Sequence, residues 1–243
     1  MGNQITPYKD SQLGKKEQVA QMFDNISKNY DGLNRIISFG TDIKWRNKVL
    51  KLVEEVKPIK VLDIATGTGD LAILMTKTSA QQIIGLDISA GMLEVGKKKI
   101  AHKNLSEKIE MVLGDSENMP YQDNTFEAIT VAFGIRNFEN LEKGLKEILR
   151  VLKPAGRLVI LETSVPEKFP FKQGYAIHTQ LILPLVGRLF STDKIAYAYL
   201  SESANAFPYG ERLNNKLREI GFIDVVAMPQ TFGVATIYSA SKN

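Results

Sequence analysis

The 243-residue chain contains no cysteine. Disulfides, thiolate nucleophiles, thiolate zinc sites and cysteine-held iron–sulfur clusters are thereby excluded, and a reducing, cytoplasmic location is compatible. Histidine is nearly absent, with two copies. His102 sits among lysines late in a helix and reads as solvated; His178, near Tyr175, reads as packed. No paired carboxylates with a nearby His or Asn stand out, so no metal site is expected. Long apolar runs are lacking too. The greasiest stretch, Leu181-Ile182-Leu183-Pro184-Leu185-Val186-Gly187, is far too short to span a bilayer. Met1 to Leu13 is polar and reads as neither signal peptide nor anchor. Charge of one sign is scarce: 31 basic against 27 acidic residues give +4. That excess permits a weak attraction to anionic lipid, and no nucleic-acid partner is expected.

What is present suits an α/β protein. A hydrophobic content of 44% with 24% charged residues allows a real core without staples. Lys15 to Tyr30 reads as a helix with Val19, Met22, Phe23 and Ile26 on one face, and Asp42 to Val56 as a second, with Trp45, Val49, Leu52 and Val53 inward. The pattern then changes. Short apolar strands at 60–64, 82–87, 109–115, 126–132 and 156–162 alternate with helices at 70–77, 90–102 and 141–152, the last stopped at Pro154. Such alternation predicts a doubly wound, Rossmann-like parallel sheet with right-handed crossovers. Strands at 223–228 and 234–240 are joined by a loop too short for a parallel crossover, so the final strand is expected to be antiparallel. A mostly parallel sheet closed this way is the class I methyltransferase arrangement. Residues 1–57 read as an N-terminal helical cap, 58–165 and 208–243 as the sheet domain, and 166–207 as a helical insertion.

Gly67-x-Gly69-x-x-Ala72 follows the first strand, and Asp87 lies about twenty residues on, a fingerprint for a nucleotide-like ligand. The surrounding acids narrow the choice. Asp63 ends the first strand ahead of the turn and suits an ammonium, directly or through water. The free N–H groups around Gly67, Thr68 and Gly69 suit a carboxylate. Asp87 can accept both ribose hydroxyls, Ile88 can lie against adenine, and Asp115 with Ser116 can meet the adenine amino group. Each acid alone could be a helix cap or a loop acid; the three together favour S-adenosylmethionine as cofactor. A nicotinamide-dependent oxidoreductase and a non-catalytic cofactor-binding module are the rival classes. Without cysteine, radical chemistry of the three-cysteine type and cysteine-dependent pyrimidine methylation are excluded. The segment Phe133-Gly134-Ile135-Arg136-Asn137 differs from the Asn-Pro-Pro-Tyr motif of amino-group nucleic-acid methylases.

Over nearly its whole length the chain resembles the C-methyltransferases of menaquinone and ubiquinone biosynthesis. The resemblance is carried by Tyr30 to Ser38 with Trp45, Asp123-Asn124-Thr125-Phe126 leading to Phe133–Asn137, and Arg150-Val151-Leu152-Lys153-Pro154-Ala155-Gly156-Arg157-Leu158 closing at Glu162-Thr163-Ser164. Leu183-Pro184, Gly187, Tyr199-Leu200, Glu202-Ser203 and Phe207-Pro208 also fit. Three positions depart: Asp42 stands where a His is usual, Ala155 replaces a Gly, and Ala132 stands where a Ser is frequent. The resemblance implies C-methylation of a polyprenylated quinol, demethylmenaquinol ahead of the benzoquinol of the ubiquinone branch. It also singles out Arg136 to stabilise the phenolate or position a water, with structural pairing to Glu139 or Glu162 as the plainer reading. Asn137 would hold ring or cofactor, and Tyr30 and Asp31 would belong to a closing cap. The insertion, rich in Tyr, Phe and Leu, is expected to serve as a lid for the prenyl tail, a peripheral membrane contact, or a homodimer surface.

Overall fold

The computed structural model describes residues 5–38, 40–166, 169–177 and 194–243. His178, the Leu181–Gly187 stretch and the middle of the expected insertion lie outside them. Seven strands form one sheet: β1 (Lys60–Ile64), β2 (Gln82–Asp87), β3 (Ile109–Leu113), β4 (Phe126–Ala132), β5 (Leu152–Thr163), β6 (Ile223–Gln230) and β7 (Ala235–Ser241). Their order is β3-β2-β1-β4-β5-β7-β6. The first five pair in parallel, while β7 runs antiparallel to both β5 and β6. This is the class I methyltransferase fold expected from the alternation of elements.

The helices are α1 (Lys15–Ile26), α2 (Tyr30–Ile37), α3 (Thr41–Glu54), α4 (Asp70–Met75), α5 (Ala90–His102), α6 (Leu141–Val151), α7 (Phe171–Ile177), α8 (Lys194–Ala206) and α9 (Glu211–Ile220). On one face of the sheet, Leu145, Ile148, Leu213 and Leu217 pack against Leu62, Ile129 and Leu158. On the other, Val49, Val53, Leu71, Met75 and Leu93 pack against Val61, Ile83 and Val159. Strands buried on both faces read as the continuous apolar runs seen in the sequence. A third cluster joins Val19, Met22 and Ile26 of α1 to Met92 of α5 and Tyr199 of α8. It lays α1 over the C-terminal edge of the parallel strands.

Several boundaries differ from expectation: β3 ends at Leu113, two residues short of Asp115, α4 ends at Met75 rather than 77, and two differences are larger. The helix expected over 15–30 breaks: α1 ends at Ile26, a single 3-10 turn spans Ser27–Asn29, and Tyr30 starts α2. Ser27 donates its hydroxyl back to the Asp24 carbonyl, a side-chain bond that competes with the regular ladder. Strand β5 starts at Leu152, directly after α6, rather than at 156. Leu152 pairs with Phe126, and Pro154, having no N–H to give, sits exposed in the first residues of the strand.

Chain order places the site. From β1 the chain winds outward to β2 and β3, then returns to β4 on the other side of β1. Ligands of doubly wound sheets occupy the crevice left at that reversal, outside the strand ends.

Candidate cofactor and acceptor site

A cleft open to solvent lies at this reversal, with Asp87, Ile88, Asp115, Ser116, Gly67, Tyr30 and Asn137 in its wall. Beside it, a smaller recess is lined by Asp63, Thr68, Asp31, Asn34, Arg46 and Asp70, and shares Tyr30, Ala65 and Gly67 with the larger one. Ten of the residues singled out in the sequence therefore meet at two adjoining hollows or at their rims. Gly69 lies beneath, where an added Cβ would touch Met111 at 3.4 Å.

The turn between β1 and α4 carries Gly67 at φ +59° and Gly69 at φ +80°, the left-handed region that glycine enters without penalty. Gly134 is required for another reason: a Cβ there would stand 2.3 Å from Ala65 Cβ. The β4 end thus approaches the turn as closely as two backbones can.

Each acid has protein partners. Asp87 accepts from Gly67 N at 2.7 Å and Ser89 N at 2.9 Å, which fixes its carboxylate at the cavity wall with lone pairs to spare. Burial lifts its pKa to about 6, against the pull of those N–H donors. Asp63 is almost fully buried and accepts hydroxyls from Thr130 and Thr66, both at 2.6 Å. Burial lifts its pKa to about 6 as well, with the two threonine bonds working in the other direction. Its first task is thus to brace the turn. Asp115 accepts from Lys16 Nζ at 2.6 Å and from Glu117 N at 2.8 Å, so α1 is tied to the adenine end. Thr68 donates to Asp31 at 2.5 Å, and Lys99 joins Asp31 to Asp70. The start of α2 is thereby clamped to the Gly-rich turn.

The groups around Arg136 are harder to read from sequence. Arg136 Nη1 meets Glu162 Oε1 at 2.5 Å and the Phe133 carbonyl at 2.7 Å, with both side chains buried. Burial opposes the guanidinium charge, yet Glu162 holds its pKa above the ordinary value. Arg136 Nε and Glu162 Oε2 are buried without a hydrogen-bond partner among the described residues. Asn137 accepts from the Tyr199 hydroxyl at 3.2 Å, and burial pushes that hydroxyl up to about 12. Tyr30 stands edge-on to Phe23, and burial raises its hydroxyl as well.

Sequence reasoning passed over Lys16 and Arg46, named Tyr199 only within a motif that the family resemblance carries, and saw Glu162 as the close of a strand and motif and as a partner for Arg136. None belongs to a local spacing pattern; α1, α3, β5 and α8 bring them in from distant segments. The three departures acquire surroundings. Asp42 accepts from Ser38 and faces Arg46 one helical turn away. Ala132 lines both hollows. Ala155 holds φ +59°, a conformation that explains why glycine suits the position.

The donor set fits S-adenosylmethionine. The buried carboxylate of Asp87 and that of Asp115 line the cleft as acceptors for hydroxyl or amino groups, Gly67 and Gly69 leave the turn without side chains at those positions, and a recess with both signs of charge adjoins the Gly-rich end. The ubiE/COQ5 methyltransferase family model matches residues 11–242. A demethylmenaquinone methyltransferase of Bacteroides fragilis is 48% identical over 240 residues, 98% of this chain and 97% of that protein. One from Porphyromonas gingivalis is 42% identical, with 98% of each chain covered. Among solved structures, the [4+2]-cyclase SpnF superposes with a TM-score of 0.68 at 17% identity, covering 95% of this chain and 97% of that one; it shows the fold alone. With its motifs, fold and cofactor cleft in agreement over this length, the chain belongs to the ubiE/COQ5 methyltransferase family.

Proposed function

We propose that this methyltransferase transfers the methyl group of S-adenosylmethionine to a ring carbon of demethylmenaquinol, yielding menaquinol. The observation that carries the reading is near full-length similarity to proteins named for that reaction, on a chain whose cleft has the matching donor set. Bound S-adenosylmethionine supplies a methyl group already activated by its sulfonium. The carbon–sulfur bond breaks as the new carbon–carbon bond forms, and the ring carbon then gives up its proton to restore aromaticity.

The chain's own task is to orient the ring and favour its phenolate. A phenol loses its proton near pH 10 in water. A buried cation beside the oxygen shifts that equilibrium toward the anion. Arg136 lies behind the cleft wall next to Asn137, and Glu162 keeps it fixed and charged, so its field can favour the phenolate. Asn137, held by Tyr199, and Tyr30 provide polar and aromatic edges for the ring. Orientation of two partners can supply on the order of 7–11 kcal/mol of the barrier in favourable cases. Residues 1–57 act in this reading as the cap over the cleft, and 166–207 as the segment that meets the tail.

The acceptor is membrane-borne, and a surface suited to lipid is present. Phe171 and Phe232 stack at 3.8 Å, with Phe232 69% and Phe169 80% exposed. Thr231 and Phe232 hold φ +43° and +59°, costly for a bulky residue. Trp45 donates to Thr231 at 2.9 Å and packs near Phe133 of the cleft wall. Aromatic rings displayed beside the site suit the interfacial zone of a bilayer. No helix among the described residues is long and apolar enough to cross a membrane.

Methyl transfer assayed with demethylmenaquinol and with a 2-polyprenyl-6-methoxy-1,4-benzoquinol tests the reaction and the ring together. Turnover of the first is expected, and transfer to neither would sink the reading. Co-sedimentation with quinone-bearing liposomes tests the surface. Binding that falls on Phe232→Ser with Phe171→Ser is expected, and no binding by the unaltered chain overturns the contact.

A further inference from the structure

The recess beside the Gly-rich turn holds a cation that the reaction has not used. Arg46, on α3, lines it together with Asp63, Thr66, Gly67 and Asp70. Its guanidinium lies 5.9 Å from the centre of the Phe133 ring. Its Nε is buried with no hydrogen-bond partner among the described residues. The one acid near enough to pair with it, Asp42, stands at 3.4 Å on that Nε side. Arg46 is close enough to the turn to act electrostatically on Asp63, Asp70 and Tyr30. An unspent buried donor is costly unless a ligand completes it.

Arg46 is also placed unlike the other cations near the cleft. Lys16 is committed to Asp115, Lys99 to Asp31 and Asp70, and Arg136 to Glu162. The recess itself is thus lined by a guanidinium whose only acid partner is Asp42 among the described residues, and by the braced carboxylate of Asp63. Opposite charges set across a small polar hollow complement an α-amino acid, whose ammonium and carboxylate are separated by one carbon. A planar guanidinium matches a carboxylate with two parallel N–H donors.

We infer that Arg46 anchors the α-carboxylate of the methyl donor's methionyl end, with Asp42 orienting the guanidinium. The assignment rests on the reading that this cleft takes S-adenosylmethionine. It makes α3 part of the cofactor site, and it gives Asp42 a defined task.

Calorimetry of the apo chain tests this without turnover. Four ligands are compared: S-adenosylmethionine, S-adenosylhomocysteine, 5′-methylthioadenosine, which lacks the amino-acid end, and decarboxylated S-adenosylmethionine, which keeps the amino group but not the carboxylate. In the unaltered chain, removing the carboxylate is expected to weaken binding about 10- to 100-fold, the range of a charge-assisted pair. Arg46→Met should cost S-adenosylhomocysteine a similar factor and leave 5′-methylthioadenosine within about twofold, with Arg46→Lys intermediate. Equal affinity of the unaltered chain for S-adenosylmethionine and its decarboxylated form overturns the inference, and needs no variant to fold. So does a parallel loss of both nucleosides in Arg46→Met. Absence of S-adenosylhomocysteine binding in the unaltered chain would instead overturn the cofactor reading itself.

Discussion

The half of the cleft proposed for adenosine and the half proposed for the acceptor are built differently. The first is made by the sheet: Asp63 is the last residue but one of β1, Asp87 closes β2, and Asp115 follows β3 by two residues. Repetition of one strand-and-turn unit brings the acids together, and Thr130 of β4 and Lys16 of α1 then hold Asp63 and Asp115 in place. The second half is assembled from α2, the turn after β4, the end of β5 and α8, which supply Tyr30, Arg136 with Asn137, Glu162 and Tyr199. A repeated unit is a durable way to hold a constant ligand. A composite of remote elements is where an acceptor can be chosen, and its residues pair with one another as Arg136 with Glu162 and Tyr199 with Asn137.

The largest effect is expected in the acceptor half. Arg136→Ala leaves Glu162 charged, buried and without its partner, which should cost about 3–5 kcal/mol of stability. Removing both charges with Arg136→Met and Glu162→Gln should restore much of that stability but not turnover. Denaturant melts and single-turnover methyl transfer distinguish the two quantities. Full activity in the double variant would break the comparison, because the pair would then be structural only.

A smaller effect is expected in the adenosine half. Asp87→Asn keeps the side chain's shape but removes the charge that accepts from the turn. Affinity for S-adenosylhomocysteine should fall about 10- to 100-fold, the range for hydrogen bonds to a charged group. The KM for the quinol should be unchanged. A shift in both constants would mean that the halves are coupled through Gly67.

Acidity separates the halves again. Asp87 and Asp63 have pKa values near 6 in the folded chain against an ordinary 3.8. Between those values the folded chain binds more protons than the unfolded one. These two acids therefore detract from stability above about pH 6, and that penalty fades as the pH falls toward 4. Cofactor binding follows the opposite sign, because ribose hydroxyls need a carboxylate acceptor. Affinity should drop by up to about tenfold per pH unit below 6, read by calorimetry between pH 5 and 7. Flat affinity over that range would remove Asp87 from the ribose.

The same contrast explains what could be read from sequence. The parallel strands, the Gly-rich turn and the strand-end acids announce themselves because each is a local pattern with a physical period. Arg46, Lys16 and Tyr199 have no such pattern; they matter because α1, α3 and α8 fold over the strand ends. Glu162 was visible as the close of a strand, but its pairing with Arg136 depends on β4 and β5 being neighbours. The break after Ile26 escaped notice because an apolar face runs through it, and only the Ser27 hydroxyl marks it.

The smallest effect is expected far from both halves and serves as their control. Ala155 holds φ +59° between α6 and the rest of β5, and its N–H donates to the Lys242 carbonyl. A left-handed alanine costs about 1–2 kcal/mol. Glycine would remove that cost but give back roughly 0.5–1 kcal/mol through the greater freedom of the unfolded chain. Ala155→Gly should therefore stabilise by about 0.5 kcal/mol, a rise in Tm of roughly 1–2 °C for a chain of this size. Turnover and both binding constants should stay the same. If this variant altered the quinol KM, the start of β5 would be transmitting strain to Glu162 at its other end, and the acceptor half would extend the length of the strand.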